Sequence, residues 1–214
     1  MKWRGLVRTA NDPEVYVATP AEVKLRLGVD EFDFTWDTML ESFIAVSQRW
    51  IEDQLGIELI DSTWTLTMDC LPTRRGPWWD GVREGAVTEL HSAADTIELP
   101  RWPLQSVTSI TFYDDEDNPT VVDSAIYYVD TATRPGRAVL RYGEVWPTIV
   151  LRPAAGVEAA FVAGYGDAAS AVPEPLKEAV RMMVAYLFEH RGECDAPMAY
   201  TKSGAATLAN NYRT

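Results

Sequence analysis

The sequence predicts an α+β fold: a helical body from N-terminal helices and a C-terminal helix, with an antiparallel β module inserted between them. Three observations carry this. Apolar residues recur at three- and four-residue spacing near the start, over 35–55, and near the end, over 173–191. Between them the pattern changes to short alternating runs broken by Gly, Pro, Asn and Asp. Each helix also has one apolar face, which needs a partner, so the two helical ends are expected to pack together.

Residues 1–18 read as extended, with Val15-Tyr16-Val17 as a short strand. Thr19-Pro20-Ala21-Glu22 has the form of a capping box, with Thr19 as the N-cap, Pro20 at the first helical position and Glu22 reaching back. The helix that follows carries Val23 and Leu27 and stops at Gly28. A longer helix over Thr35–Leu55 aligns Trp36, Leu40, Phe43, Ile44, Ser47, Ile51 and Leu55, with Gly56 ending it. Trp50 falls beside that stripe and implies a second apolar contact.

Strands are predicted at Thr63–Met68, Thr96–Leu99, Val107–Tyr113, Tyr127–Val129, Ala138–Tyr142 and Gly156–Ala163. Asp114–Pro119 makes a turn after the third of them. Residues 72–94 are rich in Gly, Pro, Arg and acids; so long a connection is functional or disordered. It holds Trp78 and Trp79, read as loop contacts or as locally packed side chains. A Gly164-Tyr165-Gly166 turn leads through Val172-Pro173 into the last helix, whose face is Leu176, Val180, Met183, Val184 and Leu187 and whose stop is Gly192. The expected division is therefore 1–56 (arm and helices), 57–166 (β module with the 72–94 loop), 167–192 (C-terminal helix on the N-terminal helices) and 193–214 (a flexible docking tail).

The 214 residues suffice for a core without disulfide or metal. A net charge of −13 disfavours nucleic-acid binding by counterion release. Residues 1–11 run against it, with Lys2, Arg4 and Arg8 and no acid; this is a solvated basic arm or a phosphate contact. Cys70 and Cys194 have no zinc or redox spacing and are expected as free thiols in a reducing compartment. No apolar run reaches the ~18 residues of a membrane span and no signal peptide is seen, so the chain is read as soluble and cytoplasmic.

No reaction is written in the sequence. The two histidines, His91 and His190, lie apart, the second in a last helical turn that suits a cation. No Gly-x-Ser-x-Gly elbow or phosphate loop occurs. Gly164-Tyr165-Gly166 lacks the third glycine of a dinucleotide fingerprint. The Asp114–Asp117 run lacks the turn glycine and late glutamate of a calcium loop. No catalytic residue, cofactor or metal is expected, and the chain is read as a non-enzyme. Eight Trp and nine Tyr suit interfaces as well as cores.

The order of segments resembles the head–tail connector (adaptor, head-completion) family of tailed bacteriophages and gene-transfer agents. The resemblance rests on Leu6–Leu27 with its Thr-Pro-Ala-Glu-Val-Lys cap, and on the 35–56 helix. It continues through Leu99-Pro100-Arg101-Trp102-Pro103-Leu104, Tyr127-Tyr128-Val129-Asp130, Trp146-Pro147, Phe161–Asp167 and Pro173–Arg191. It covers nearly the whole chain. It implies a structural ring in the neck of a phage or phage-like particle, assembled in the bacterial cytoplasm. The ring is expected to be a dodecamer in the particle, and a free chain that is a monomer is compatible with it. Portal protein and a tail or stopper protein are the implied partners. DNA would pass through without sequence-specific binding, and no membrane is involved. The portal-docking tail would carry Tyr200, Leu208, Tyr212 and Arg213. The alternative reading is a β-rich binding module, with carbohydrate as its ligand and Trp78, Trp79 and Trp102 as an aromatic platform. A hydrolase working through carboxylates is the third.

Overall fold

The computed structural model describes residues 5–9, 15–71 and 95–213. The fold is mixed α+β with antiparallel sheets, and it divides into two compact units. One unit holds Met1–Thr9, Thr63–Pro100 and Leu104–Val162; the other holds Ala10–Ser62, Arg101–Pro103 and Ala163–Thr214. The expected boundaries differ in detail. The N-terminal segment falls in the β unit, whereas residues 57–62, 101–103 and 163–166 fall in the helical one.

The β unit contains two sheets. Strands β1 (Gly5–Thr9), β2 (Ser62–Met68), β4 (Leu104–Tyr113), β5 (Pro119–Val121) and β8 (Val157–Ala163) form a five-stranded sheet in the order β1-β2-β8-β4-β5. Strands β3 (Thr96–Leu99), β6 (Tyr127–Asp130) and β7 (Gly136–Leu140) form a second, in the order β3-β7-β6. Alternation decides which side is buried. Trp64, Leu66 and Met68 of β2 point in, as do Val157, Ala159, Phe161 and Ala163 of β8. Trp146 joins the two sheets: its ring stacks 6.1 Å from Phe112 of β4 and lies 6.3 Å from Tyr127 of β6. The Arg152 guanidinium lies over Tyr113, 4.0 Å from the ring centre, and pairs with Asp117 at 3.2 Å and Glu158 at 3.5 Å. That clamp secures the turn after β4.

The predicted strand at 15–17 is absent. Val17 is buried among helices, and its N–H donates to the Gln48 side chain (3.0 Å) instead of to a strand. The N-terminal strand is Gly5–Thr9, paired antiparallel with β2 from Gly5↔Thr67 to Thr9↔Thr63. Strand β4 begins at Leu104, directly after Pro103, three residues earlier than expected.

The helical unit is built on α1 (Pro20–Leu27), α2 (Asp37–Leu55) and α3 (Glu174–Glu189), with α3 packed on both others. The capping box forms as read: Glu22 N–H donates to Thr19 Oγ1 (3.3 Å) and Thr19 N–H to Glu22 Oε2 (2.9 Å). A 3-10 turn, Phe34–Trp36, precedes α2 and is capped by Asp33. The apolar stripes of α2 and α3 meet in one core that includes Leu40, Ile44, Ile51, Leu176, Val180, Met183 and Val184. Burying each such side chain contributes about 1.5–3 kcal/mol.

The 193–214 segment is not the expected flexible tail. It forms α4 (Ala196–Lys202) and α5 (Ala205–Ala209), both packed against α3. Its residues are small and spaced, and Ala199, Tyr200, Ala205 and Ala209 are all buried. Helix α4 starts on Asp195, whose carboxylate accepts the Met198 N–H (2.9 Å), with a proline in its first turn. Small residues let short helices sit close to a neighbour, a signal that composition alone reads as polarity.

Candidate assembly surfaces

Polar residues buried in the helical unit gather around the end of α2. Gln48 Nε2 donates to Glu52 Oε1 (3.3 Å), which also accepts the Leu59 N–H (3.2 Å). Arg49 pairs with Glu52 (3.5 Å), Asp53 (3.0 Å) and Glu58 (3.7 Å). Arg101 closes the cluster. It donates to the carbonyls of Glu52 (3.1 Å) and Ile57 (3.4 Å), and its other nitrogen meets Asp53 at 2.7 Å. A guanidinium there serves two ends at once. It adds a donor to Glu52 O, which already accepts the Gly56 and Ile57 N–H groups, and it meets the negative end of the helix dipole. Two arginines face three carboxylates, and each charged group has a partner within the chain. The cluster is a closed structural joint, and it explains what Arg101 and Trp102 of the recognised segment do. Trp102 O accepts the Glu58 N–H (2.9 Å), and the Trp102 ring packs edge-on against Tyr165 at 5.5 Å. That packing takes Trp102 out of the proposed aromatic platform. Trp78 and Trp79, like His91, lie outside the described residues.

The Gly-x-Gly turn has a packing reason. A Cβ on Gly164 would stand 2.5 Å from the Asp61 backbone. Gly164 N–H donates to Pro103 O (2.9 Å), and Asp61 N–H to Gly166 O (2.9 Å), so three segments meet edge to edge. Burial pushes the Asp61 carboxyl above its ordinary value, Asp167 adds to the rise, and a hydrogen bond to the Gly166 backbone opposes it.

Of the tail residues assigned to docking, Tyr200 is buried and donates to Asn210 Oδ1 (2.9 Å). Leu208 and Tyr212 pack on the same helical core, and Arg213 alone is exposed. These side chains are therefore engaged with their own chain. His190 stacks on Tyr186 (4.0 Å between centres) at the end of α3. Both cysteines are free, Cys70 exposed and Cys194 half-buried, with burial raising the Cys194 thiol first and nearby Asp195 and Glu193 adding to it. Among the described residues there is no cluster of potential metal ligands, and no helix is long and apolar enough to cross a membrane.

Some large apolar side chains stand open to solvent. Leu25 (84% exposed) projects from α1, and Phe32 (74%) and Phe34 (69%) from the loop and 3-10 turn that follow it. The loop is held firmly. Lys24, almost fully buried, pairs with Asp37 (2.5 Å), donates to Glu31 O (3.3 Å) and lies over the Phe34 ring. Asp30 accepts the Phe32 N–H (2.9 Å) and Asp33 the Thr35 N–H (3.0 Å). Hydrogen bonds from the Thr35 side chain and backbone hold the Asp33 carboxyl below its ordinary value, so it stays charged. Large apolar side chains held in the open make this loop a candidate contact surface.

Comparison with known proteins gives a result on fold. No family model matches the sequence, and no curated protein matches it significantly. Solved structures do. The chain is similar to one in the neck of an empty gene transfer agent (GTA) particle computed with C6 symmetry: TM-score 0.72, 24% identity, 99% of this chain and 96% of that one covered. It is similar to a chain in the virion of the native GTA particle (TM-score 0.68, 23% identity, the same coverage). A third lies in the neck of the native GTA particle computed with C12 symmetry (TM-score 0.65, 24% identity, the same coverage). The shared fold spans both chains almost end to end.

Proposed function

We propose that this chain is a structural adaptor, one subunit of a ring in the neck of a phage-like particle, between the capsid portal and the tail or stopper. The observation that carries the reading is the match to a neck chain over 99% of this chain and 96% of that one, at a TM-score of 0.72. Coverage of that extent makes the resemblance one of whole subunits. The neck structures were computed with six- and twelve-fold symmetry, which supports a closed ring here. A closed ring of identical subunits needs two different faces on each, and exposed Leu25, Phe32 and Phe34 supply material for one.

The charge fits a conduit. At −13, the subunit lacks the basic footprint that would hold DNA, and a channel lined by carboxylates lets a duplex slide. The reading needs no reaction and no cofactor. Portal contact is assigned to no named side chain, because Tyr200, Leu208 and Tyr212 are committed to the subunit's own core.

Deleting the gene and imaging the particles tests the reading. Separate heads and tails are expected, with joining restored by the gene in trans. Normally joined particles in the deletion strain would refute it.

A further inference from the structure

We infer that the acidic, aromatic loop after α1 of one copy docks on the basic C-terminal segment of a second copy, from α4 to Arg213, giving the ring its head-to-tail contact. The inference rests on the proposed ring. It names the two faces that such a ring requires.

The first face is unsatisfied within its own subunit. Leu25, Phe32 and Phe34 stand more than two-thirds exposed. Around them the sequence from Gly28 to Glu41 holds five acids and no base. Asp37 is matched by Lys24, and Arg191 lies over the Trp36 and Phe188 rings nearby. Asp30, Glu31, Asp33 and Glu41 form no ion pair among the described residues, and Lys24 acts on Asp33 only at longer range. The loop cannot dock on its own copy in another subunit, because its excess of carboxylates would face the same excess. Its occupant must bring cations and an apolar surface.

The second face has both. From Ala196 to Thr214 there are two bases, Lys202 and Arg213, and no acid, in a chain of net charge −13. Most cations elsewhere among the described residues are committed: Lys24, Arg26, Arg49, Arg101, Arg137, Arg152, Lys177 and Arg181 all lie in ion pairs. Lys202 and Arg213 have no ion-pair partner among the described residues. Both are exposed, as is Met198 on α4 (44%). Aromatic, Met and Arg side chains are the residue types that interface cores favour. The loop and the two short helices both belong to the helical unit, so every subunit offers one of each. Such a contact is heterologous, and repetition of it closes a ring.

The test uses the full chain with a photo-cross-linking phenylalanine at Phe32, an aromatic exchanged for an aromatic. Equal amounts of ordinary and nitrogen-15 protein are mixed at high concentration, irradiated and mapped by mass spectrometry. Mixed-isotope cross-links to residues 196–213 are expected. Lys202→Glu with Arg213→Glu should lower their yield about tenfold, as loss of paired charge at an interface does. Adding Glu31→Lys and Glu41→Lys to that chain should restore it; neither Glu side chain holds the loop together. Cross-links that map elsewhere, only same-isotope cross-links, none at all, or no effect of charge reversal would overturn the inference. The adaptor reading fails separately. It falls if deletion of the gene leaves heads and tails joined, whichever peptide Phe32 reaches.

Discussion

The guanidinium of Arg101 stands 3.6 Å from the carboxylate of Glu58, a side chain with no exposed surface. A buried carboxylate is stable only while it is matched. Arg101 comes from a three-residue return of the chain to the helical unit, between two strands, so this pair ties a β connection to the end of α2.

Removing one partner should therefore cost more than removing both. Arg101→Met is expected to lose about 3–5 kcal/mol, since the buried Glu58 carboxylate loses a guanidinium 3.6 Å away. Adding Glu58→Leu should recover the part of that loss due to the uncompensated carboxylate, while the bonds of Arg101 to Glu52 O, Ile57 O and Asp53 stay lost. Urea unfolding of the two single variants and the double variant measures the coupling. Additive losses would show that the pair is not a unit.

Gly164 is set by a neighbour's backbone. Gly164→Ala forces the Asp61 main chain to move, and a loss of about 1–3 kcal/mol or more is expected from overpacking. A thermal midpoint equal to the parent's would show that the approach of the two segments is not fixed.

Asp61 gives a pH signature. Its folded-state pKa is raised above the ordinary 3.8 by burial first and Asp167 second. The folded state then binds the proton more tightly than the unfolded state. Stability falls as pH rises through the folded pKa, and the cost is fully present at neutral pH. Asp61→Asn should therefore melt higher than the parent at pH 7, and the gain should vanish below about pH 3.8. A variant no more stable at pH 7 would contradict this.

The last two helices are predicted to be folded in the free subunit. The Ala199 N–H donates to Asp195 O (2.9 Å), and Tyr200 is buried. Slow amide exchange at both residues is expected, and Tyr200→Ala should cost about 2–4 kcal/mol through lost burial and cavity. Exchange at the free-coil rate would restore the flexible tail that sequence composition implied.

Local rules were legible where the cause is local. Thr19, Glu22, Gly28 and Gly56 mark helix ends through contacts a few residues apart, and the stripes of α2 and α3 follow from helical spacing. The second sheet's strands were visible, but their pairing through β7 was not, because register is set by partners far along the chain. Val17 escaped because its hydrogen bond is to a side chain 31 residues away. The tail escaped because alanine is ambiguous: it reads as weakly apolar, yet Ala199, Ala205 and Ala209 are fully buried. Phe32 and Phe34 escaped because alternation with acids resembles a solvated turn. Only the fixed loop, anchored by buried Lys24, shows that they are held outward.

The central claim is that this subunit builds a ring on a portal. The most direct measurement is mass by light scattering, for the purified chain alone and after mixing with the portal ring of its own particle. The account predicts a large, stoichiometric complex on mixing, whether the free chain is a monomer or already a ring. A monomer whose mass is unchanged by the portal would contradict it.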